Sequence, residues 1–262
     1  GPHLQAAGVD LRLVEETLLP NTPPWCMPLP EVLLDLTGHK KGEVAAALFQ
    51  QNLLKILDDF KGFRRIFTDG SKSEDGRVAA AAVLQQTPLL VFKHRLVDGS
   101  SIYSAELQAI LLALKHIYQS QDSNFLIISD SLSALQALKN NKLDHPLIIL
   151  IRELHASLLD EGKDIVFIWV PSHVGIRGNT HADIAANRAR AGPVAGRHVI
   201  FSDFKPVVSK YIQDEWQSQW DALTENKLYK ILPCLSEAIP RCRPNRREET
   251  VLCRLHIGHS YF

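Results

Sequence analysis

The run Phe125-Leu-Ile-Ile-Ser129 constrains this chain more than any other stretch. A half-exposed strand alternates apolar and polar side chains, whereas this one is apolar almost throughout, as a strand buried on both faces must be. Such a strand belongs inside a sheet covered by helices on each side, which makes the chain an α/β protein. Its neighbours agree. Arg65-Ile-Phe-Thr68 reads as a first strand, and Asp69-Gly70-Ser71 opens a turn-rich stretch continuing to Gly76. Val78–Leu84 and Leu89–Leu96 read as strands joined by a short turn at Pro88, which requires antiparallel neighbours. Ile102–Tyr118 has apolar residues at Leu107, Ile110, Leu111, Leu114 and Ile117, a helical period. Leu132–Leu138 is a short helix, and Pro146–Leu159 is a helix despite the strand propensity of its Ile-rich start. Ile165–Val170 is the last strand, and Asn179–Ala191 is a helix ending near Gly192.

The flanks have a different texture. Residues 1–62 form a connector that begins irregularly, with Pro20, Pro23, Pro24, Pro28 and Pro30 opposing regular pairing. A helical pattern follows from Lys41 to Phe60, with Val44, Leu48, Leu53, Leu54 and Ile56-Leu57 available for one face. Residues 193–262 form a helical extension in which Trp216 and Trp220, four apart, share a face. Gly1-Pro2 reads as the scar of a protease cleavage. No secretory signal or transit peptide is visible, and no apolar run approaches the ~20 residues that span a bilayer. Cys26, Cys234, Cys242 and Cys253 form no CxxC pair, which points to reduced thiols inside a cell. The 29 basic and 29 acidic residues cancel, which argues against tight unaided binding of nucleic acid. Arg241, Arg243, Arg246, Arg247 and Arg254 cluster near the C-terminus, as a source of grip or as a solvated charged face.

Four acids carry the chemistry only when taken together. Alone, Asp69 before Gly70 is a turn residue. Asp130 after the apolar strand is a helix cap. Glu106 is a first-turn acid favoured by the helix dipole, although Ala105 and Leu107 place it near the core edge. Asp183, three residues after Thr180, completes a capping box. If the first strand and Phe125–Ser129 are parallel neighbours, however, Asp69 and Asp130 emerge about 4.8 Å apart. Open α/β sheets bind ligands at that end. Adjacent carboxylates repel unless a cation lies between them. Four carboxylates with no nearby cysteine favour Mg²⁺ or Mn²⁺ over structural zinc, and a pair of such ions suits displacement at phosphorus. His173, in a loop with Gly175 and Gly178, can move protons near neutral pH.

Thr68-Asp69-Gly70-Ser71, Ser104-Ala105-Glu106-Leu107, Ser129-Asp130-Ser131 and Pro171-Ser172-His173…Gly178-Asn179…Ala182-Asp183 resemble the ribonuclease H family in order and spacing. The resemblance covers residues 63–192. Pro23-Pro24-Trp25 upstream, and Trp216…Trp220, Lys227-Leu228 and Leu255-His256-Ile257-Gly258-His259 downstream, resemble the segments flanking ribonuclease H in jockey-like non-LTR retrotransposon polyproteins. This implies a ribonuclease H-like fold: a five-stranded mixed sheet in order 3-2-1-4-5 with helices on both faces. It implies an endonuclease that cuts the RNA strand of RNA–DNA hybrids with two Mg²⁺ ions, Mn²⁺ substituting, and leaves 5′-phosphate and 3′-hydroxyl ends. Asp69 would bridge both ions, Glu106 and Asp130 would share the ion on the leaving-group side, Asp183 would hold the ion that activates water, and His173 would assist turnover. RNA would be selected through its 2′-hydroxyls, partly by backbone near Gly70 and Ser71, and Ser101 would bind a phosphate of the DNA strand. The implied partner is the reverse transcriptase of the same polyprotein, in the nucleus or cytoplasm. The other readings are a non-catalytic module of this fold binding nucleic acid or protein, against which all four acids stand, and another nuclease or transposase, against which the His173 loop stands.

Two departures qualify the resemblance. The basic helix that some cellular relatives carry after the third acid is missing, because Lys139-Asn-Asn-Lys142 leads almost directly to Pro146. The family's polyproteins continue past the Gly-His pair into a Cys/His zinc motif, whereas Cys253, His256 and His259 read here as helix residues rather than zinc ligands. A neutral chain without the basic helix holds its substrate through few phosphate contacts. Hybrid affinity is expected to be weak and to fall with added salt. A binding constant unchanged between low and physiological salt contradicts this.

Overall fold

A computed structural model of the chain describes residues 2–14, 22–38, 45–140, 145–196, 198–235 and 246–256. The chain divides into two compact units, one of residues 12–203 and one of residues 1–11 with 204–262. The strands are β1 (Glu31–Leu33), β2 (Arg64–Lys72), β3 (Val78–Leu84), β4 (Leu90–Arg95), β5 (Asn124–Ser129) and β6 (Asp164–Trp169). The helices are α1 (Pro2–Ala6), α2 (Ala46–Asp59), α3 (Ile102–Gln119), α4 (Leu132–Lys139), α5 (Pro146–Asp160), α6 (Arg177–Ala189), α7 (Lys205–Asp221), α8 (Lys227–Ile231) and α9 (Arg246–His256).

The larger unit is a mixed α/β sandwich. Its sheet runs β1-β6-β5-β2-β3-β4. The five strands expected from the sequence take the expected order, as β4-β3-β2-β5-β6. The sixth corrects that expectation. β1 begins directly after Pro30 and pairs in parallel with β6, Glu31 opposite Val166 and Leu33 opposite Ile168. Residues 22–30, with Pro23, Pro24, Pro28 and Pro30, stay out of the sheet and deliver the chain to its edge. β5 is buried from Phe125 to Ser129, as its apolar run requires. β3 is buried along its whole length, and its four successive alanines leave room for helices on both faces.

One face is covered by α3, α4 and α5, with Leu107, Ile110, Leu114 and Ile151 packed on Ile66 and Ile127. The Ile-rich start of α5 is helical because Pro146 is suited to a first helical turn and His145 Nδ1 accepts the Leu147 N–H at 3.3 Å. The other face is covered by α2 and α6. The buried stripe of α2 is Phe49, Leu53 and Leu57. Leu48 and Leu54, which the sequence offered for that face, are exposed, and Val44 lies outside the described residues. Fully buried Arg152 ties the Pro-rich stretch down by donating to the carbonyls of Met27, Leu138 and Asn140 at 3.2–3.4 Å. α4 ends at Lys139 and α5 begins at Pro146, and residues 141–144, with Lys142, lie outside the described residues.

In the smaller unit, Trp220 of α7 donates its indole N–H to the Leu232 carbonyl at 2.8 Å and stacks edge-on against Tyr229 of α8. Trp216, one turn earlier, is 61% exposed. Arg246, Arg247 and Arg254 are exposed on α9, and Arg241, Arg243, Cys242 and Gly258-His259 lie outside the described residues. Among the described residues no helix is long and apolar enough to cross a membrane.

The contact between α6 and the sheet depends on a missing side chain. A Cβ at Gly178 would lie 2.2 Å from the Phe67 ring. Gly178→Ala is expected to cost about 1–3 kcal/mol of stability by overpacking. Gly38→Ala, which meets nothing within 4 Å, should stay within about 0.5 kcal/mol. Urea denaturation of the two variants measures the difference.

Candidate active site

Strand pairing places the first two acids. β2 and β5 run parallel up to the pair Thr68 and Ser129, so the next residues, Asp69 and Asp130, emerge side by side. β2 does not end there. Its antiparallel pairing with β3 continues from Asp69–Ala81 to Lys72–Val78. Asp69 is therefore a strand residue, not the start of a turn. The turn comes later and closes where the Gly76 N–H donates to the Ser73 carbonyl at 3.0 Å.

The third acid arrives from α3. A Cβ at Gly70 would stand 2.7 Å from the backbone nitrogen of Glu106, so only glycine lets the helix lie this close to β2. The Gly70 N–H faces the Glu106 carboxylate and favours its charged form, against the larger effect of burial. Glu106 Oε2 is buried without a hydrogen-bond partner. Asp69, Glu106 and Asp130 each offer a carboxylate oxygen within 4.8 Å of the others.

Asp183 stands outside this trio but near it, since its charge helps raise both Asp69 and Asp130. α6 begins at Arg177, with Ile176 as its cap. The capping box does not form, because Thr180 is already inside the helix and donates its hydroxyl to the Ile176 carbonyl at 3.2 Å. Asp183 instead accepts from Asn187 Nδ2 at 2.6 Å. Asp130 is likewise not the cap of α4, which is Ser131. Its carboxylate accepts from Asn179 Nδ2 at 3.0 Å. Asn179 and Asn187 are polar residues that sequence reasoning left without a role. Their spacing of four on either side of Asp183 was the available signal, since it puts all three on one helix face.

His173 lies in the loop after β6 with φ 57°. It lines a small cavity of about 50 Å³ with Asn179 and Asp183. A larger cleft of about 250 Å³ between β4, α3 and α5 holds none of the four acids. Ser71 points its hydroxyl to Asn187 Oδ1 at 2.9 Å. Ser101 caps α3 by accepting the Ser104 N–H at 3.0 Å, while its own N–H donates to Asp203 at 2.9 Å.

Burial and crowding make Asp69, Glu106 and Asp130 reluctant to ionise. Burial first, then the charges of Asp130 and Asp183, push Asp69 up to about 8. Burial and the charges of Asp69 and Asp130 raise Glu106 well above the ordinary carboxylate range. Asp130 is also raised, mainly by burial, against the opposing effects of the Asn179 hydrogen bond and the charge of His173. An all-oxygen trio with an orphaned buried oxygen fits a hard divalent cation. Among the described residues no other three such side chains converge in this way.

Residues 64–191 match the family model described as RNase H. This segment is a ribonuclease H domain. The matched segment contains the trio, His173 and Asp183, and extends from β2 through α6, while β1 and α2 lie before it.

The raised acids give the ribonuclease H domain a pH signature. Asp69 holds its proton to about pH 8 when folded, against 3.8 as its ordinary value. The folded state thus binds the extra proton, and the site's contribution to stability falls as pH rises from about 4 to about 8. In chelator, thermal unfolding should occur at a lower temperature at pH 8 than at pH 6. Mg²⁺ should raise it, more at pH 8 than at pH 6, and Asp69→Asn should flatten both responses. A Mg²⁺-independent melting temperature in the parent chain contradicts this.

Proposed function

We propose that the chain is an endonuclease that hydrolyses the RNA strand of RNA–DNA hybrids. The observation that carries this reading is the convergence of Asp69, Glu106 and Asp130 within 4.8 Å in a ribonuclease H domain. Asp69, Glu106, Asp130 and Asp183 would hold two Mg²⁺ ions, with Mn²⁺ as a substitute. When bound, such ions lower the pKa of water and offset negative charge on the phosphate and the leaving oxygen. A water O–P bond forms and the O3′–P bond breaks, which yields 5′-phosphate and 3′-hydroxyl ends.

The chain's own groups prepare that step. The Gly70 N–H favours the charged form of Glu106. Asn179 fixes Asp130 through Oδ2. Asn187 fixes Asp183 through Oδ1, and its own Oδ1 accepts from Ser71 and from Arg190 at 2.7 Å, so its amide nitrogen must face the acid. His173, which lines a cavity with Asn179 and Asp183, moves protons during turnover. Backbone near Gly70 and Ser71 contacts RNA 2′-hydroxyls. Ser101 contacts a DNA phosphate by turning its hydroxyl away from Ser104.

Residues 1–62 serve as a connector, 63–192 as the ribonuclease H domain and 193–262 as a helical extension. The flanking Pro23-Pro24-Trp25 and Trp216…Trp220 motifs support a place in a non-LTR retrotransposon polyprotein. There the partner is its reverse transcriptase, acting in the nucleus or cytoplasm.

Asp130→Asn keeps side-chain volume and removes charge, so it should abolish cleavage, by about a hundredfold or more, with the fold intact. The check is gel analysis of labelled RNA–DNA hybrid, RNA duplex and DNA duplex with and without Mg²⁺. Only the hybrid's RNA strand should be cut, and only with metal. Cleavage by the variant at the parent rate removes Asp130 from the site.

A further inference from the structure

We infer that α2, which precedes the matched ribonuclease H segment, sets the conformation of the His173 loop, and that Gln50 is the positioning residue through which it does so. The inference rests on the role proposed for His173.

A hydrogen bond, a shared apolar cluster and a close backbone approach join α2 to this loop. Gln50 Nε2 donates to the Val174 carbonyl at 2.7 Å, across 124 residues of sequence. Val174 and Ile176 are buried in the same apolar cluster as Phe49 and Leu53 of α2. Gly175 passes so close to α2 that a Cβ there would stand 2.6 Å from Gln50 Nε2.

The backbone shows what these contacts sustain. His173 (φ 57°) and Gly175 (φ 77°) are both left-handed and bracket Val174. Glycine adopts that conformation freely, whereas histidine does so at a cost and keeps it only where neighbours impose it. Buried Val174 and Ile176 anchor the far side of the loop, and the amide of Gln50 takes up the carbonyl that the two left-handed residues turn toward α2. His173 is thereby presented to the cavity it shares with Asn179 and Asp183. Gln50 makes its hydrogen bond to the Val174 carbonyl and none to His173 or to the acids. Its effect passes through the Val174 carbonyl.

Gln50→Glu keeps the side-chain size and replaces the donor with an acceptor, so the Val174 carbonyl loses its partner. Gln50→Ala makes the same test should the first variant fail to fold. Leu54→Ala, on the exposed side of α2, is the control. In metal-free protein, backbone amides of Val174–Ile176 should exchange hydrogen faster in the Gln50 variants, with the melting temperature no lower than in the control. With Mg²⁺ and hybrid, kcat should fall about tenfold while KM stays within about twofold. Combined with His173→Ala, the Gln50 substitution should cost nothing further, because the group it positions is already gone. Parent-like kcat in the Gln50 variants beside a slow His173→Ala overturns the inference alone, as do additive losses in the double variant. A His173→Ala enzyme that turns over at the parent rate overturns the role of His173 and the inference together.

Discussion

Three carboxylates meet in a few ångströms of partly buried space, and in the absence of a cation they can do so only by keeping protons that such groups normally release. Burial and mutual repulsion act in the same direction on Asp69 and Glu106. Nothing in the fold relieves them fully. Asn179 serves Asp130, the Gly70 N–H offsets only part of the burial of Glu106, and Glu106 Oε2 has no partner. A protein gains no stability from such an arrangement. It makes physical sense as a site that exchanges protons for divalent ions.

The rest of the domain can be read as the means of holding those groups together. β2 outlasts its parallel partner β5 because β3 continues to pair with it, so Asp69 is fixed by sheet hydrogen bonds while Asp130 is free to leave the strand. At Gly70 and Gly178 a side chain would push a helix away, α3 from β2 and α6 from Phe67. Each therefore sets where an acid sits, Glu106 in one case and Asp183 in the other. The N-terminal segment contributes in the same way. β1 extends the sheet beyond β6, and α2 covers the face on which α6 and the His173 loop rest.

Much of this was legible in the sequence, for identifiable reasons. The unbroken apolar run of β5 announced a doubly covered strand, and the short link between β3 and β4 announced their antiparallel pairing. Asp69 and Asp130 could be brought together because each follows a strand expected to be a parallel neighbour of the other, although each had a sufficient local explanation, whereas Glu106 and Asp183 joined them only through the resemblance to the ribonuclease H family. Those local explanations failed for reasons of register. α6 starts earlier than its apolar pattern suggests, which puts Thr180 and Asp183 inside the helix, and Ser131 caps α4 in place of Asp130. What stayed hidden depends on contacts between distant segments. Prolines masked β1, whose short pairing needs β6 beside it. Phe49 was overlooked for Leu48 and Leu54, because the direction of a helical stripe is fixed by its partner surface. Gln50, Asn179 and Asn187 are ordinary polar residues until the chain brings Val174, Asp130 and Asp183 to them.

Exchange of protons for a cation at the trio is measured by calorimetric titration of Mg²⁺ into the chain near pH 7, repeated in buffers of different ionisation enthalpy. The slope of heat against buffer enthalpy counts protons released. The expected result is saturable binding with release of about one proton or more per chain, lost in Asp69→Asn. Binding that releases no proton, or no binding at millimolar Mg²⁺, would show that the trio is not such a site.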